Sequence, residues 1–300
     1  MDRLITRSSD LYVVVCRPAL PMDTQDVMEL TKNIWDGNDY VPYAWQKWLT
    51  DPDSFLVVAE YGGHVVGLVD LAWKGDGEWW LQGLRVHPVF QGQGIASRLH
   101  HYILDAWQST QGGVLRLATS SKRLPVHHLC QRTGFSRRGE YRVYFAPSIN
   151  GEKAPFRLLQ AGDAPGAVDY AQRSPLFALS NHLIYHDWYW AGLTNNRVEA
   201  IIQREQAFWW LGEDGDVSGL LCIAIDEDED EGRRPSIQLL ACSEADLPDL
   251  LMDYRRLAGE MGFERVEWMA PEKEAILAML NSAGYESDWE NSLLLFEKGS

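Results

Sequence analysis

Leu84-Arg85-Val86-His87-Pro88-Val89-Phe90-Gln91-Gly92-Gln93-Gly94-Ile95-Ala96-Ser97-Arg98-Leu99 decides the fold. An apolar strand ends near Val86, and Pro88 stops it because proline has no N–H for a sheet ladder. Two glycines follow, one residue apart. Ile95, Leu99, Tyr102, Ile103 and Ala106 then recur on one face at helical spacing. The order is strand, glycine loop, helix. Such a loop gathers backbone N–H groups at the positive end of a helix dipole, where an anion such as a phosphate binds. Glycine permits the close approach because it has no Cβ.

A P-loop would need Gly-Lys-Ser/Thr after four spacers, and no lysine is present. A dinucleotide fingerprint would need a third glycine where Ser97 stands. Gln91-Gly92-Gln93-Gly94-Ile95-Ala96 instead fits Gln/Arg-x-x-Gly-x-Gly/Ala. Together with the preceding Leu84-Arg85-Val86-His87-Pro88, it resembles the pyrophosphate loop of the GNAT acetyltransferases. The resemblance implies acetyl-CoA as cofactor, held by Gln91, Gly92, Gln93, Gly94, Ile95, Ala96 and Ser97. Gly83, inside the preceding strand, reads as a bulge. By the same resemblance, the main chain around Leu84, Arg85 and Val86 faces the acetyl and pantetheine arm.

The chain has 300 residues, 46% of them hydrophobic, and a net charge of −16. That length allows two ordinary domains. The acidity argues against a nucleic-acid partner, which requires a basic face; its simplest service is solubility, and it also suits a cationic or amine substrate. Lys122, Arg123, Arg132, Arg137 and Arg138 are a local basic exception for an anionic cofactor. No apolar run reaches the roughly 18 residues of a membrane span, and Met1–Arg7 lacks the apolar centre of a signal peptide. Cys16, Cys130, Cys222 and Cys242 show no metal-ligand spacing, so the expectation is a reduced, cytoplasmic protein without metal or disulfide. The oligomeric state is not legible.

Strands are expected at Val13–Cys16, Phe55–Glu60, His64–Leu71, Trp79–Val86, Val114–Thr119 and Tyr141–Phe145, with a helix from Gln25 to Ile34 capped by Asp23 or Thr24. Trp35–Pro52, dense in aromatics and carboxylates, reads as a loop and a short helix suited to line a small-molecule pocket. Pro125–Arg132 is a short helix closed by Gly134. After the polar linker Ser148–Lys153 the plan repeats, with strands at Phe156–Leu159, Ala207–Leu211, Gly219–Ala224, Ile237–Ala241, Val266–Met269 and Leu293–Glu297, and helices at Leu250–Met261 and Ala275–Leu280. The second loop, Ser243-Glu244-Ala245-Asp246, has no glycine and two carboxylates, which would repel a diphosphate. Asp226–Glu231 is an acidic run expected in a solvated hairpin loop. The expected fold is α/β (α+β). It comprises two tandem GNAT-like domains, 1–147 and 152–300, each a mixed, mostly antiparallel sheet flanked by helices. The second is degenerate.

The likeness extends to the vertebrate tandem-GNAT histidine acetyltransferases through Gly37–Pro42, Trp48–Pro52, Gly83–Val86, the glycine loop and Asp187-Trp188. It implies an amino-acid-like amine as acceptor, met by Asp36, Asn38, Asp39, Tyr40, Asp187 and Trp188. For catalysis, Glu78 and Asp39 are candidate bases, as are Asp36 and Asp70, with His87 a weaker one; Gln82 cannot take a proton. Cys130 stands, by resemblance, where many GNAT enzymes carry a tyrosine acid. The leading function is an acetyl-CoA-dependent N-acetyltransferase for a small amine or amino acid. The alternatives are a non-catalytic acyl-CoA-binding module and a protein, peptide or aminoglycoside acetyltransferase.

Overall fold

The computed structural model of the chain describes residues 13–110, 112–151, 153–228 and 232–299. The chain divides into two compact units, one of residues 1–117 with 298–300 and one of residues 118–297. The division falls inside a strand, ahead of the linker at which the sequence repeat divides.

The first unit opens with β1 (Val15–Pro18), α1 (Thr24–Thr31) and α2 (Val41–Thr50), followed by β2 (Ser54–Tyr61), β3 (His64–Trp73) and β4 (Glu78–Val86). These strands form an antiparallel meander in the order β1-β2-β3-β4. α3 (Ile95–Ser109) crosses back, and β5 (Val114–Ser120) returns parallel to β4. A parallel pair needs such a crossover because its strands start at the same edge. Val27, Leu30, Val41, Trp45 and Trp48 of α1 and α2 pack against Leu56, Val58 and Leu68 of the meander. α3 buries Ile95, Leu99, Ile103, Leu104 and Trp107.

α1 is shorter than expected, and neither Asp23 nor Thr24 caps it with a side chain. The Asp23 carboxylate is taken by Arg17, at 2.8 Å from each terminal nitrogen, and by the Leu20 N–H at 2.7 Å. A bidentate cation outcompetes a cap for the same two oxygens.

The second unit contains α4 (Leu124–Arg132), β6 (Ser136–Pro147), β7 (Phe156–Leu158), α5 (Ala164–Arg173), α6 (Pro175–Leu179), β8 (Leu183–His186), β9 (Tyr189–Gly192) and α7 (Asn195–Ile202). It continues through β10 (Ala207–Leu211), β11 (Val217–Asp228), β12 (Gly232–Cys242), α8 (Leu247–Glu260), β13 (Arg265–Pro271), α9 (Glu274–Ser282) and β14 (Leu293–Gly299). Its sheet order is β14-β6-β13-β12-β11-β10-β7, and β12 and β13 are its parallel pair. The run β7-β10-β11-β12-β13 thus repeats β1-β2-β3-β4-β5, as the sequence repeat requires. β6 lies between β13 and β14 and pairs antiparallel with both. The acidic run is drawn into the β11–β12 ladder as far as Asp228, opposite Gly232; its tip lies outside the described residues, as does Met1–Arg7. The β8–β9 hairpin and α7 were not read from the sequence. Among the described residues no helix is long and apolar enough to cross a membrane.

His100, on the buried face of α3, is 1% exposed, and burial holds its imidazole down to about 4. The folded state therefore refuses a proton that the unfolded chain accepts below about 6.5. This contribution to stability is full above that value and is lost as pH falls toward 4, about 3 kcal/mol in all. Urea unfolding of His100→Gln between pH 7 and 4 should show a shallower loss of stability with acid than the unaltered chain.

Candidate active site

Gly83 sets the geometry. In the β3–β4 ladder Leu68 faces Arg85 and Asp70 faces Gln82, so two residues of β4, Gly83 and Leu84, oppose one of β3. This is a bulge on β4. Gly83 takes φ +68°, and a Cβ there would lie 2.8 Å from the Trp48 ring. Only glycine meets both conditions. β4 pairs with β5 only at Glu78, Trp79 and Trp80. Beyond Trp80 no ladder partner on that side is found among the described residues; the Leu84 carbonyl accepts instead from a terminal nitrogen of Arg85 at 3.2 Å and the Val86 carbonyl from Gln91 Nε2.

β4 then runs through a short turn, Pro88–Phe90, into the glycine loop. Gly92 and Gly94 have φ +76° and +80°, and no atom lies within 4 Å of where either Cβ would be. The loop is braced from behind: Gln91 Nε2 donates to the Val86 carbonyl at 3.1 Å and Gln93 Nε2 to the Val89 carbonyl at 3.3 Å. Gly94 is the N-cap of α3, no side chain caps the helix, and its first turn holds no acid. The N–H groups of Ile95, Ala96 and Ser97, in the first turn, have no acceptor within the helix. This is the condition in which a helix start accepts an anion.

The loop between α1 and α2 is tied to the bulge. Arg85 donates from Nε and a terminal nitrogen to the two oxygens of Asp39, both at 2.9 Å, and both side chains are buried. Its guanidinium lies 4.5 Å from the Trp35 ring centre and 5.2 Å from that of Tyr40. The Gly83 N–H donates to the Tyr40 hydroxyl at 3.1 Å, and the Tyr40 and Trp48 rings meet edge to face. Burial of the hydroxyl raises the Tyr40 pKa, so the phenol stays protonated. Trp35 and Asp36 adopt left-handed backbone, φ +50° and +57°, and Asn38 closes that turn through the Trp35 carbonyl at 3.2 Å. Asp36, Asn38 and Tyr40 are exposed.

The candidate catalytic groups have other partners. Glu78 is buried and accepts from Arg116 at 2.6 Å. Asp39 is spent on Arg85 and on the Val41 N–H at the start of α2. Asp70 is fully buried, accepts from Ser54 and from Gln82 Nε2 at 2.7 Å, and has its pKa raised by burial. His87 accepts the Val89 N–H at 3.3 Å as cap of the turn before the loop. In the second unit Cys130 is fully buried, its thiol pushed up to about 12 by burial. Such a thiol does not yield its proton to a thiolate of pKa near 8.5.

Asp187 and Trp188 form the two-residue tip of the β8–β9 hairpin with φ +26° and +66°. Trp188 stacks on Trp289 with centroids 5.7 Å apart. Of the basic residues after the loop, Lys122, Arg137 and Arg138 are ion-paired with Glu290, Glu140 and Glu297. At the second loop, Ser243 donates to Asp246 at 2.6 Å, and Asp249 follows in the first turn of α8. Carboxylates occupy the helix start where the first half offers bare N–H groups.

A bulged strand opening into a glycine loop and an uncapped helix is an arrangement suited to hold an anion. Residues 24–135 match the model of the Acetyltransferase (GNAT) family. The chain is 31% identical over 145 residues to N-alpha-acetyltransferase RimI of Mycobacterium tuberculosis, covering 47% of this chain and 89% of that protein. It belongs to the GNAT acetyltransferase family. It is also 26% identical over 151 residues to histidine N-acetyltransferase of Xenopus tropicalis, covering 49% of this chain and 46% of that one. The chain thus spans about half the length of that curated relative. A tandem GNAT protein from the clavulanic acid biosynthesis pathway superposes with a TM-score of 0.57 at 11% identity, over 96% of this chain and 98% of that one. At that identity the likeness speaks for the fold alone.

Asp39→Ala leaves the Arg85 guanidinium buried without its counter-ion, at a cost of about 3–5 kcal/mol in stability. Pairing it with Arg85→Met should recover most of that loss. Urea unfolding of the two variants checks both, and equal stabilities would show that the ion pair is not what holds the loop.

Proposed function

We propose that the chain transfers the acetyl group of acetyl-CoA to the primary amine of a small, amino-acid-like molecule, with the α-amino group of histidine as the first candidate. The observation that carries this is the open glycine loop at the uncapped start of α3, next to a bulged strand that beyond Trp80 has no ladder partner on one side among the described residues. In this reading the first half of the repeat, residues 1–147, does the chemistry. The second, residues 152–300, has lost its anion loop.

The N–H groups from Gln93 to Ser97 would hold the diphosphate of the coenzyme, and the main chain of Leu84 and Val86 its pantetheine arm. Acetyl-CoA supplies an activated thioester. The neutral amine attacks its carbonyl carbon, a main-chain N–H at the bulge faces the oxyanion, the C–S bond breaks, and the coenzyme leaves as thiolate. The amine's proton passes to solvent. The α-amino group of a free amino acid titrates above the roughly 8 of a peptide N-terminus, so the reaction draws on a small neutral fraction that exchange with solvent replenishes. Glu78, Asp39 and Cys130 then serve the scaffold rather than the proton. The Trp35–Tyr40 turn, including Asp36 and Asn38, walls the acceptor side. The identity of the amine rests on the histidine N-acetyltransferase relatives, whose names describe those proteins.

A free-thiol assay with acetyl-CoA across the amino acids and polyamines tests the activity. Turnover with a small amine is expected, and coenzyme binding without turnover on any amine would favour a non-catalytic module. Gly92→Asp puts a carboxylate where the diphosphate is proposed to sit, at a backbone angle aspartate tolerates. Calorimetry should find acetyl-CoA bound at least about tenfold more weakly, with a thermal midpoint within a few degrees of the unaltered chain.

A further inference from the structure

Asp70 is a buried carboxylate that the acetyl transfer does not use. It has no solvent exposure and forms no ion pair among the described residues. A charge so placed persists only where hydrogen bonds answer it. Both oxygens are answered: the Ser54 hydroxyl donates to Oδ1 and Gln82 Nε2 donates to Oδ2 at 2.7 Å.

This pairing has a consequence for Gln82. A primary amide has a donor end and an acceptor end, whereas an ionised carboxylate only accepts. Asp70 therefore fixes which way the Gln82 amide faces, with NH2 turned inward and Oε1 outward. Among the described residues no donor is bonded to Oε1. Gln82 is half-buried, one residue before the bulge. It shares a sheet face with Asp70 and Leu56, its ladder partners in turn, and Trp48 of α2 belongs to the same core as Leu56. The next residue's N–H is held by Tyr40. Gln82 thus lies on the sheet face that α1 and α2 cover, one residue from the N–H that Tyr40 holds. A glutamate at this position would set two carboxylates against each other, whereas glutamine offers an acceptor without a second charge.

We propose that Gln82 Oε1 accepts an N–H of the incoming amine, and that Asp70 is a positioning residue that keeps the amide in its accepting orientation. The inference rests on the acetyl-transfer reading above. An amine held by one N–H keeps its lone pair free to point elsewhere, which is what attack on a thioester needs.

The test is steady-state kinetics with the best amine from the panel. Gln82→Ala should raise the KM for the amine about tenfold and leave the KM for acetyl-CoA unchanged. Asp70→Ala frees the amide to turn and should do the same. Asp70→Asn should recover only part of the loss, because an asparagine amide can meet Gln82 with either its acceptor end or its donor end. In the double variant Asp70→Ala/Gln82→Ala the two effects should not add, since one acts through the other. An amine KM unmoved by Gln82→Ala overturns the proposal, as does full additivity. Should Asp70→Ala fail to fold, Gln82→Ala decides alone. No turnover by the unaltered chain would instead count against the acetyl-transfer reading.

Discussion

The left-handed backbone of Gly83 is the constraint on which the first unit is arranged. It bulges β4 and brings the Trp48 ring against the bulge at a distance no side chain would allow. It also presents an N–H to the Tyr40 hydroxyl. The strand that leads into the glycine loop and the aromatic loop ahead of α2 are thereby fixed to the same residue. The buried Asp39–Arg85 pair completes this arrangement from the neighbouring side chain. Removing either ion would leave the other uncompensated in a dry place, which makes the contact all-or-none.

The two halves differ at the start of the crossover helix. Both contain a meander, a crossover helix and a parallel return strand. α3 begins with bare amides after two glycines, and α8 begins with Ser243, Asp246 and Asp249. A helix start surrounded by its own carboxylates has its dipole satisfied internally. The fold therefore does not require the glycines, since the second half builds the same topology without them.

Most of this architecture was legible because it is written in local signals. Alternating apolar runs gave the strands, Pro88 and Gly94 marked the ends of β4 and the start of α3, and Gly83 inside a strand marked the bulge. What escaped was long-range or lacked punctuation. The β8–β9 hairpin turns through Asp187 and Trp188 with positive φ at both, where a reader looks for Asn-Gly. α1 ends early, and Asp23 serves Arg17 rather than the helix, because a partner six residues away is invisible to capping rules. The roles of Glu78, Asp39 and Cys130 were legible as residue types only. Glu78 and Asp39 are paired with Arg116 and Arg85, and Cys130 lies in an apolar core, and none of these surroundings is adjacent in the chain. Gln82 was read only for what it lacks, and its tie to Asp70 required the ladder register to be seen.

Strand β4 is clasped near both ends, by Glu78 to Arg116 and by Arg85 to Asp39, and each clasp is sealed from water. Dissolved ions screen exposed charges over about 8–10 Å but reach sealed ones poorly. Ionic strength therefore acts on the molecule unevenly. It weakens whatever the exposed amides of the glycine loop attract, while the strand that aims them keeps its alignment, so brine and dilute buffer meet the same framework with a different grip.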